Sequence, residues 1–274
     1  MRPFSFVRRI NAALVNITGD SRVKQLPKSH ATLIEGQMFR LMKSGQGTPS
    51  IVLINGAGGP LDGWYKLYPE IEQLGTVFAY DRPGVGGSPK PREAQYGETV
   101  VAQLRLLLQA AGVEPPFVLV GHSFGGLHAN LFARAFADEV AGVLFLEATA
   151  PSDVTTLKQF QSPLQRGFVK LLDRMSPRDQ FDEIRNELET VKDIQEAPAF
   201  PPVPVTVLSG TKRLPRWMVP AGLVRERERS QLALAALSPL GGRIEARRSA
   251  HFPQLTEPEL VLDALKRLVA RAKT

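Results

Sequence analysis

Residues 121–126, Gly-His-Ser-Phe-Gly-Gly, have the types and spacing needed to present a nucleophile. They form a G-x-S-x-G match between the apolar run 117–120 and a helical pattern. We therefore expect a sharp strand-to-helix turn with Ser123 at its tip. Such a turn strains the backbone of its central residue, and flanking glycines avoid collisions. The alternative is a helix start with Ser123 as N-cap, but a cap does not require glycines on both sides.

A serine hydroxyl is a weak nucleophile until a base removes its proton. Of the four histidines, His251 follows the last predicted strand and precedes the C-terminal helix, in a loop expected to end beside Ser123. His30 lies ahead of the predicted sheet. His122 and His128 flank the serine, where a packing or pocket role is expected. We therefore predict that His251 is the general base; the alternative is an ordinary surface histidine.

The elements that must position these side chains are short, continuously apolar runs separated by helical patterns. One or two strands are predicted within 31–43, and further strands at 51–54, 77–80, 117–120, 142–146, 203–208 and 243–247. Helices are clearest at 98–111, 124–136 and 258–272. Apolar runs of this kind are typical of parallel strands buried on both faces. The alternation predicts an α/β fold with a mostly parallel central sheet flanked by helices.

One long interval, 151–202, breaks this alternation. No strand is evident there, and apolar residues recur at helical spacing between 157 and 175, followed by a second predicted helix at 177–192. A structureless loop of this length is improbable inside a compact domain, so a helical cap is expected. The core would then comprise 31–150 and 203–274.

Several features together resemble the α/β-hydrolase superfamily. They are the serine turn, the glycine-rich stretch 55–59 after an early strand, the stretch 81–88 after the next strand, and the terminal His251. The resemblance runs from about Ala31 to the C-terminus. It implies the α/β-hydrolase fold and nucleophilic catalysis, with the superfamily's serine–acid–histidine order.

The acid departs from the commonest pattern of that superfamily. Most members carry it after the strand that follows the cap, but residues 208–213 contain no acid and Glu226 lies inside a charged helix. The preceding strand ends at Glu147, an arrangement similar to that of haloalkane dehalogenases. We therefore predict that Glu147 orients and stabilises the histidine. The alternative is a strand-end glutamate paired with a basic group; Asp153 and Glu245 are weaker candidates.

An oxyanion hole needs two N–H groups aimed at the developing negative charge. The resemblance implies that one is the N–H of Phe124, the residue after the nucleophile. The other would come from the turn after the early strand, at Ala57 or Gly58. Asn55 stands where many members have histidine, which backbone donors tolerate.

Composition excludes several other kinds of site. The chain of 274 residues has no cysteine, which excludes thiolate zinc sites, iron–sulfur clusters and disulfides. The stretch 84–87 is not G-x-G-x-x-G and lacks the lysine of a phosphate-binding loop. No histidine–carboxylate spacing indicates a metal. We expect neither a cofactor nor a metal.

The net charge of +7 does not indicate a nucleic-acid partner, because the basic residues are spread along the chain. Residues 225–229 alternate in sign, which is typical of a solvated helix face. Residues 1–30 are predicted to form a helical segment. Because 1–20 lack a signal-peptide pattern and no apolar run is long enough to span a membrane, a cytoplasmic location is expected, with peripheral membrane contact through 1–20 as an alternative.

The sequence thus predicts a cofactor-independent serine hydrolase with an acyl-serine intermediate, most simply a carboxylic-ester hydrolase. Its substrate would be a small molecule with an apolar acyl or alcohol part. Amide, lactone and carbon–carbon bond hydrolysis or perhydrolysis would use the same residues. A non-catalytic binding protein with this fold is the alternative of another class. The oligomeric state and the substrate stay open.

Overall fold

A computed structural model describes residues 21–156, 182–212 and 221–273. Of the segment 1–30 that was predicted to be helical, residues 1–20 therefore lie outside the described residues, as does the apolar stripe at 157–175. Within the described part of the chain, no helix is long and apolar enough to cross a membrane.

The core is one eight-stranded sheet in the order β1-β2-β4-β3-β5-β6-β7-β8. The strands are β1 His30–Ile34, β2 Gln37–Ser44, β3 Ser50–Ile54, β4 Val77–Asp81, β5 Phe117–His122, β6 Val140–Leu146, β7 Val205–Gly210 and β8 Gly241–Ala246. The first two strands form an antiparallel hairpin, and β2 also runs antiparallel to β4. All other pairings are parallel, as the sequence predicted.

Helices cover both faces of this sheet. The described α-helices are α1 Tyr68–Ile71, α2 Gly97–Ala110, α3 Gly125–Ala135, α4 Pro151–Thr156, α5 Glu187–Glu196, α6 Ala221–Ala235, α7 Pro253–Thr256 and α8 Pro258–Ala272. Short 3-10 turns lie at Ser21–Gln25, Leu61–Trp64 and Ala137–Glu139. The last long helix has the bounds that its apolar periodicity predicted.

The continuous apolar runs are explained by burial on both faces. Every residue of β3, β4 and β5 is buried. Alternate side chains enter two separate clusters, so that Val52 packs in the cluster under α2 and α3 while Ile51 packs in the cluster that contains α1 and α8 residues. A strand of this kind cannot show polar alternation, because neither of its faces meets water.

The second predicted cap helix, placed at 177–192, is confirmed only in its last part, and its bounds differ within the described residues. Residues 183–186 form turns, and the helix runs from Glu187 to Glu196. The carboxylate of Asp182 accepts the N–H of Ile184 at 2.9 Å, a local turn that competes with helix formation.

The buried carboxylate of Asp81, at the end of β4, organises the following turn. One oxygen accepts the N–H of Leu61 at 2.6 Å, and the other accepts the N–H of Gly87 at 2.8 Å and faces the Arg40 guanidinium at 3.3 Å. Burial raises the pKa of Asp81, and these partners partly oppose that shift. Asp81 therefore has a structural role, bracing the loop between β4 and α2.

We expect Asp81→Ala to lower the free energy of unfolding by about 3 kcal/mol, because two buried N–H groups lose a charged acceptor. Urea titration followed by circular dichroism measures the change. Asp263→Ala is the control, since it removes an exposed i,i+4 partner of Arg267 and should cost less than about 0.5 kcal/mol. Equal losses in the two variants would contradict this role.

Candidate active site

Ser123 occupies a strained turn between β5 and α3. Its φ is 52°, in the left-handed region that residues with a side chain rarely adopt. The N–H of Ser123 donates to the carbonyl of Leu146 at 3.2 Å, and its carbonyl accepts the N–H groups of Gly126 at 2.9 Å and Thr149 at 2.8 Å. The turn is thus tied to the end of β6 as well as to its own helix.

The glycines around Ser123 are required by close backbone contacts. A methyl group on Gly121 would lie 2.8 Å from the carbonyl oxygen of Gly125. A methyl group on Gly56, in the loop after β3, would lie 2.9 Å from Cβ and 3.4 Å from Oγ of Ser123. The glycine-rich loop therefore passes directly against the serine, which the predicted oxyanion hole requires.

The loop that carries His251 is held against the same edge of the sheet. The N–H of Lys212, just after β7, donates to the carbonyl of Ser249 at 2.9 Å. The Nε2 of His122 lies 2.9 Å from the carbonyl oxygen of His251. Because a carbonyl can only accept, Nε2 of His122 carries the proton. The residue before the serine thus holds the backbone of the predicted base.

Both of these histidines are neutral near pH 7. Burial lowers the pKa of His122 to about 3, with a further contribution from His251. Burial and the charge of Arg227 lower the pKa of His251 to about 4. His128, fully buried edge-on to Phe124, has a pKa well below its ordinary value. A neutral imidazole is the form that can accept a proton.

Glu147 lies at the end of β6, as predicted, with a φ of 44°. One carboxylate oxygen accepts the N–H of Gly210 at 2.6 Å, and the other is 3.0 Å from a guanidinium nitrogen of Arg227. The same guanidinium lies 2.5 Å from the carboxylate of Asp153. In this arrangement Glu147 is therefore paired with a basic group, as the alternative considered for it predicted.

Among the described residues, neither Ser123 nor Glu147 is hydrogen-bonded to the side chain of His251. The other acids considered are engaged elsewhere. Asp153 accepts the N–H of Ala150 at 2.8 Å, which fixes the start of α4. Glu245 is exposed and pairs with neighbouring arginines of its own strand and turn.

The three N–H groups predicted for the oxyanion hole, those of Phe124, Ala57 and Gly58, hydrogen-bond to no other described residue. Gly58 has a φ of 65°, which turns the loop back on itself. Asn55 uses its side-chain amide to donate to the carbonyl of Pro60 at 2.9 Å. The asparagine therefore stabilises the loop, and backbone N–H groups stay available for a ligand oxygen.

Arg227 is the main residue of this region that the sequence interpretation missed. The alternating charges of 225–229 predicted a solvated face, yet Arg227 joins two buried carboxylates. Ser230, Gln231 and Leu234 are buried at spacings of three, four and seven residues from Arg227, but the first two are polar, so no apolar periodicity in the sequence marked this face. That spacing places Arg227 on the inward face of α6.

The buried pair Arg82–Glu183 was also missed. Its guanidinium and carboxylate lie 2.5 Å apart at their closest atoms, although the residues are 101 positions apart in the chain. Nothing in the local sequence indicates such a long-range pair.

Comparison with known families agrees with this fold. Residues 49–186 match the family described as alpha/beta hydrolase fold. The chain belongs to the α/β-hydrolase family.

Individual relatives are distant. YqjL of Bacillus subtilis is 25% identical over 229 residues, which cover 83% of this chain and 87% of YqjL. A thermophilic esterase from Thermogutta terrifontis is similar in structure, with a TM-score of 0.62 and 18% identity over 90% of this chain and 100% of the esterase. An enol-lactonase from Burkholderia xenovorans LB400 has a TM-score of 0.61 and 18% identity, covering 88% of this chain and 100% of the lactonase.

If His251 is the base, kcat/KM should fall as the pH drops through its pKa, because the imidazolium cannot accept a proton. We expect this acidic limb near pH 4 and not near the ordinary value of about 6.5. A pH profile with an ester substrate measures it, with circular dichroism showing that the protein stays folded. Arg227→Gln should shift the limb upward, since it removes a positive charge near His251. A wild-type limb at or above the ordinary value would contradict the expectation.

Proposed function

We propose that this protein is a serine hydrolase that works by acyl transfer. The observation that carries the proposal is the strained Ser123 at the tip of the β5–α3 turn, in contact with the glycine-rich loop after β3. Residues with strained backbone conformations cluster at functional sites, because a fold keeps such a conformation only where the surrounding contacts enforce it. Acyl transfer also needs hydrogen-bond donors for the oxyanion and a base for the hydroxyl proton. The donors would be the unpaired N–H groups of Phe124 and Ala57, and the base would be the neutral His251.

In the proposed reaction, the hydroxyl oxygen of Ser123 attacks a carbonyl carbon while His251 takes its proton. The carbonyl π electrons move onto oxygen, and this oxyanion accepts hydrogen bonds from Phe124 and from Ala57 or Gly58. Collapse of the tetrahedral intermediate expels the alcohol, which receives the proton from His251. His251 then takes a proton from a water molecule whose oxygen attacks the acyl carbon. Collapse of this second tetrahedral intermediate breaks the bond to Ser123, whose oxygen receives the proton from His251, and releases the acid.

A carboxylic ester is the proposed substrate class. Two phenylalanine rings lie close to the serine turn: Phe252 contacts the ring of His122, and Phe124, the residue after Ser123, packs edge-on against His128. These apolar rings favour a small molecule with an apolar acyl or alcohol part. The segment 151–202 is proposed as the cap over this pocket. Esters and lactones share the acyl carbon that the site would attack, and the structural relatives above include an esterase and a lactonase.

The first experiment combines a fluorophosphonate probe with a panel of p-nitrophenyl esters of rising chain length, run beside amide and lactone substrates. We expect labelling and ester hydrolysis by the wild type, and loss of both in Ser123→Ala. Ser152→Ala, at an exposed serine of α4, is the matched control and should be labelled normally. Labelling that persists in Ser123→Ala, or turnover of amides alone, would contradict the proposal or its substrate class.

A second candidate function, a binding protein that kept this fold without catalysis, is favoured by one observation. Glu147 pairs with Arg227, and no hydrogen bond joins it to His251 among the described residues. Such a protein would bind small molecules without labelling and without turnover in the same experiment.

The proposed acid is tested by Glu147→Gln. We expect kcat for an activated ester to fall by about 100-fold or more, because the imidazolium formed in the transition state loses its counter-charge. Steady-state kinetics measure this, with circular dichroism as the check of folding. The control is Glu245→Gln, which changes the exposed alternative acid and should leave kcat unchanged. Near-normal turnover by folded Glu147→Gln would contradict this assignment.

A further inference from the structure

The guanidinium of Arg82, directly after β4, is buried beneath the glycine-rich loop. Its side chain is 2% exposed. Its Nε lies 2.5 Å from one carboxylate oxygen of Glu183, and its Nη2 lies 3.1 Å from the other. Glu183 belongs to the segment between β6 and β7 and precedes α5 by a few residues. The pair therefore joins two parts of the chain that no strand pairing connects.

The other donors of Arg82 reach the backbone of the glycine-rich loop. Nη1 donates to the carbonyl of Asn55 at 2.7 Å, and Nη2 donates to the carbonyl of Gly56 at 2.8 Å. Two successive carbonyl groups are thus held by one rigid, planar cation. A lysine could not do this, because its ammonium is a point donor on a flexible stem.

Fixing the carbonyl of Gly56 also fixes the N–H of Ala57. The two groups belong to one planar trans peptide and point in opposite directions. The same carbonyl accepts the N–H of Gly59 at 3.1 Å, which restrains the peptide further. Since Gly56 lies against Ser123, this peptide borders the predicted nucleophile.

We propose that Arg82 and Glu183 are a positioning pair, in which Arg82 aims the Ala57 N–H at the oxyanion and Glu183 keeps Arg82 in place. This inference rests on the proposed serine hydrolase function. A buried guanidinium requires a counter-charge, since desolvation otherwise drives it towards water. Glu183 supplies that charge from the segment proposed as the cap. Glu183 thereby ties the described part of that segment to the loop after β3.

The test is Glu183→Gln, which keeps the shape of the side chain and removes its charge. An N–H group that binds the oxyanion stabilises the transition state and not the bound substrate. In Glu183→Gln, kcat should therefore fall by at least about tenfold, while KM for a short activated ester stays within about threefold. A trifluoromethyl ketone, whose serine adduct carries an oxyanion, should bind more weakly by the same factor as the loss in kcat/KM. A residue that only anchored the cap would raise KM or lower stability and leave kcat unchanged, so the loss of kcat is the readout that separates the two roles.

The matched control is Glu139→Gln, which removes the charge of another glutamate paired with an arginine, Arg105, at the protein surface. It should leave kcat and inhibitor affinity unchanged. Arg82→Lys carries the same test if Glu183→Gln does not fold, and it should show the same loss of kcat. Unchanged kcat and inhibitor affinity in the folded variants would overturn the proposal, and so would variants whose only defect is failure to fold. The hydrolase function is tested separately, by measuring turnover in the wild type and its loss in Ser123→Ala.

Discussion

The backbone around Ser123 is packed so closely that side chains are excluded on several sides of it. A methyl group on Gly125 would overlap the carbonyl oxygen of Ile54, at the end of β3, and one on Gly126 would overlap Ala148, just after β6. The β5–α3 turn is therefore held between the ends of its two neighbouring strands. This contact keeps Ser123 in a conformation with positive φ that an isolated turn would relax.

Charged side chains at the same edge of the sheet are buried together with partners of opposite charge. Arg82 is matched by Glu183, and Arg227 is matched by Glu147 and Asp153. Each group joins the core to the segment between β6 and β7 or to α6. Because an unpaired buried charge is costly, these groups define where the added segments sit on the core. A preorganised site needs this kind of restraint, since the groups that stabilise a transition state must be in place before it forms.

The sequence alone predicts the parts of this structure that depend on local pattern. Continuous apolar runs such as 51–54 predict buried parallel strands, and glycines flanking Ser123 predict the strained turn. The long-range charge pairs are not predictable in this way, because Glu183 and Arg82 meet only through the tertiary fold. Arg227 is not predictable either, because its sign pattern suggested a solvated face, and two of the residues buried on the same face of α6, Ser230 and Gln231, are polar.

The charges around Glu147 bear on how it could act as the proposed acid while it is paired with Arg227. Arg227, Glu147 and Asp153 together carry one net negative charge, because one guanidinium faces two carboxylates. A neutral His251 adds nothing to this sum. An imidazolium at His251 would bring the total to zero. Asp153 would then retain Arg227, and Glu147 would be free to turn towards the new positive charge. Under the proposed mechanism, Asp153 therefore keeps Arg227 paired while Glu147 stabilises the imidazolium of His251.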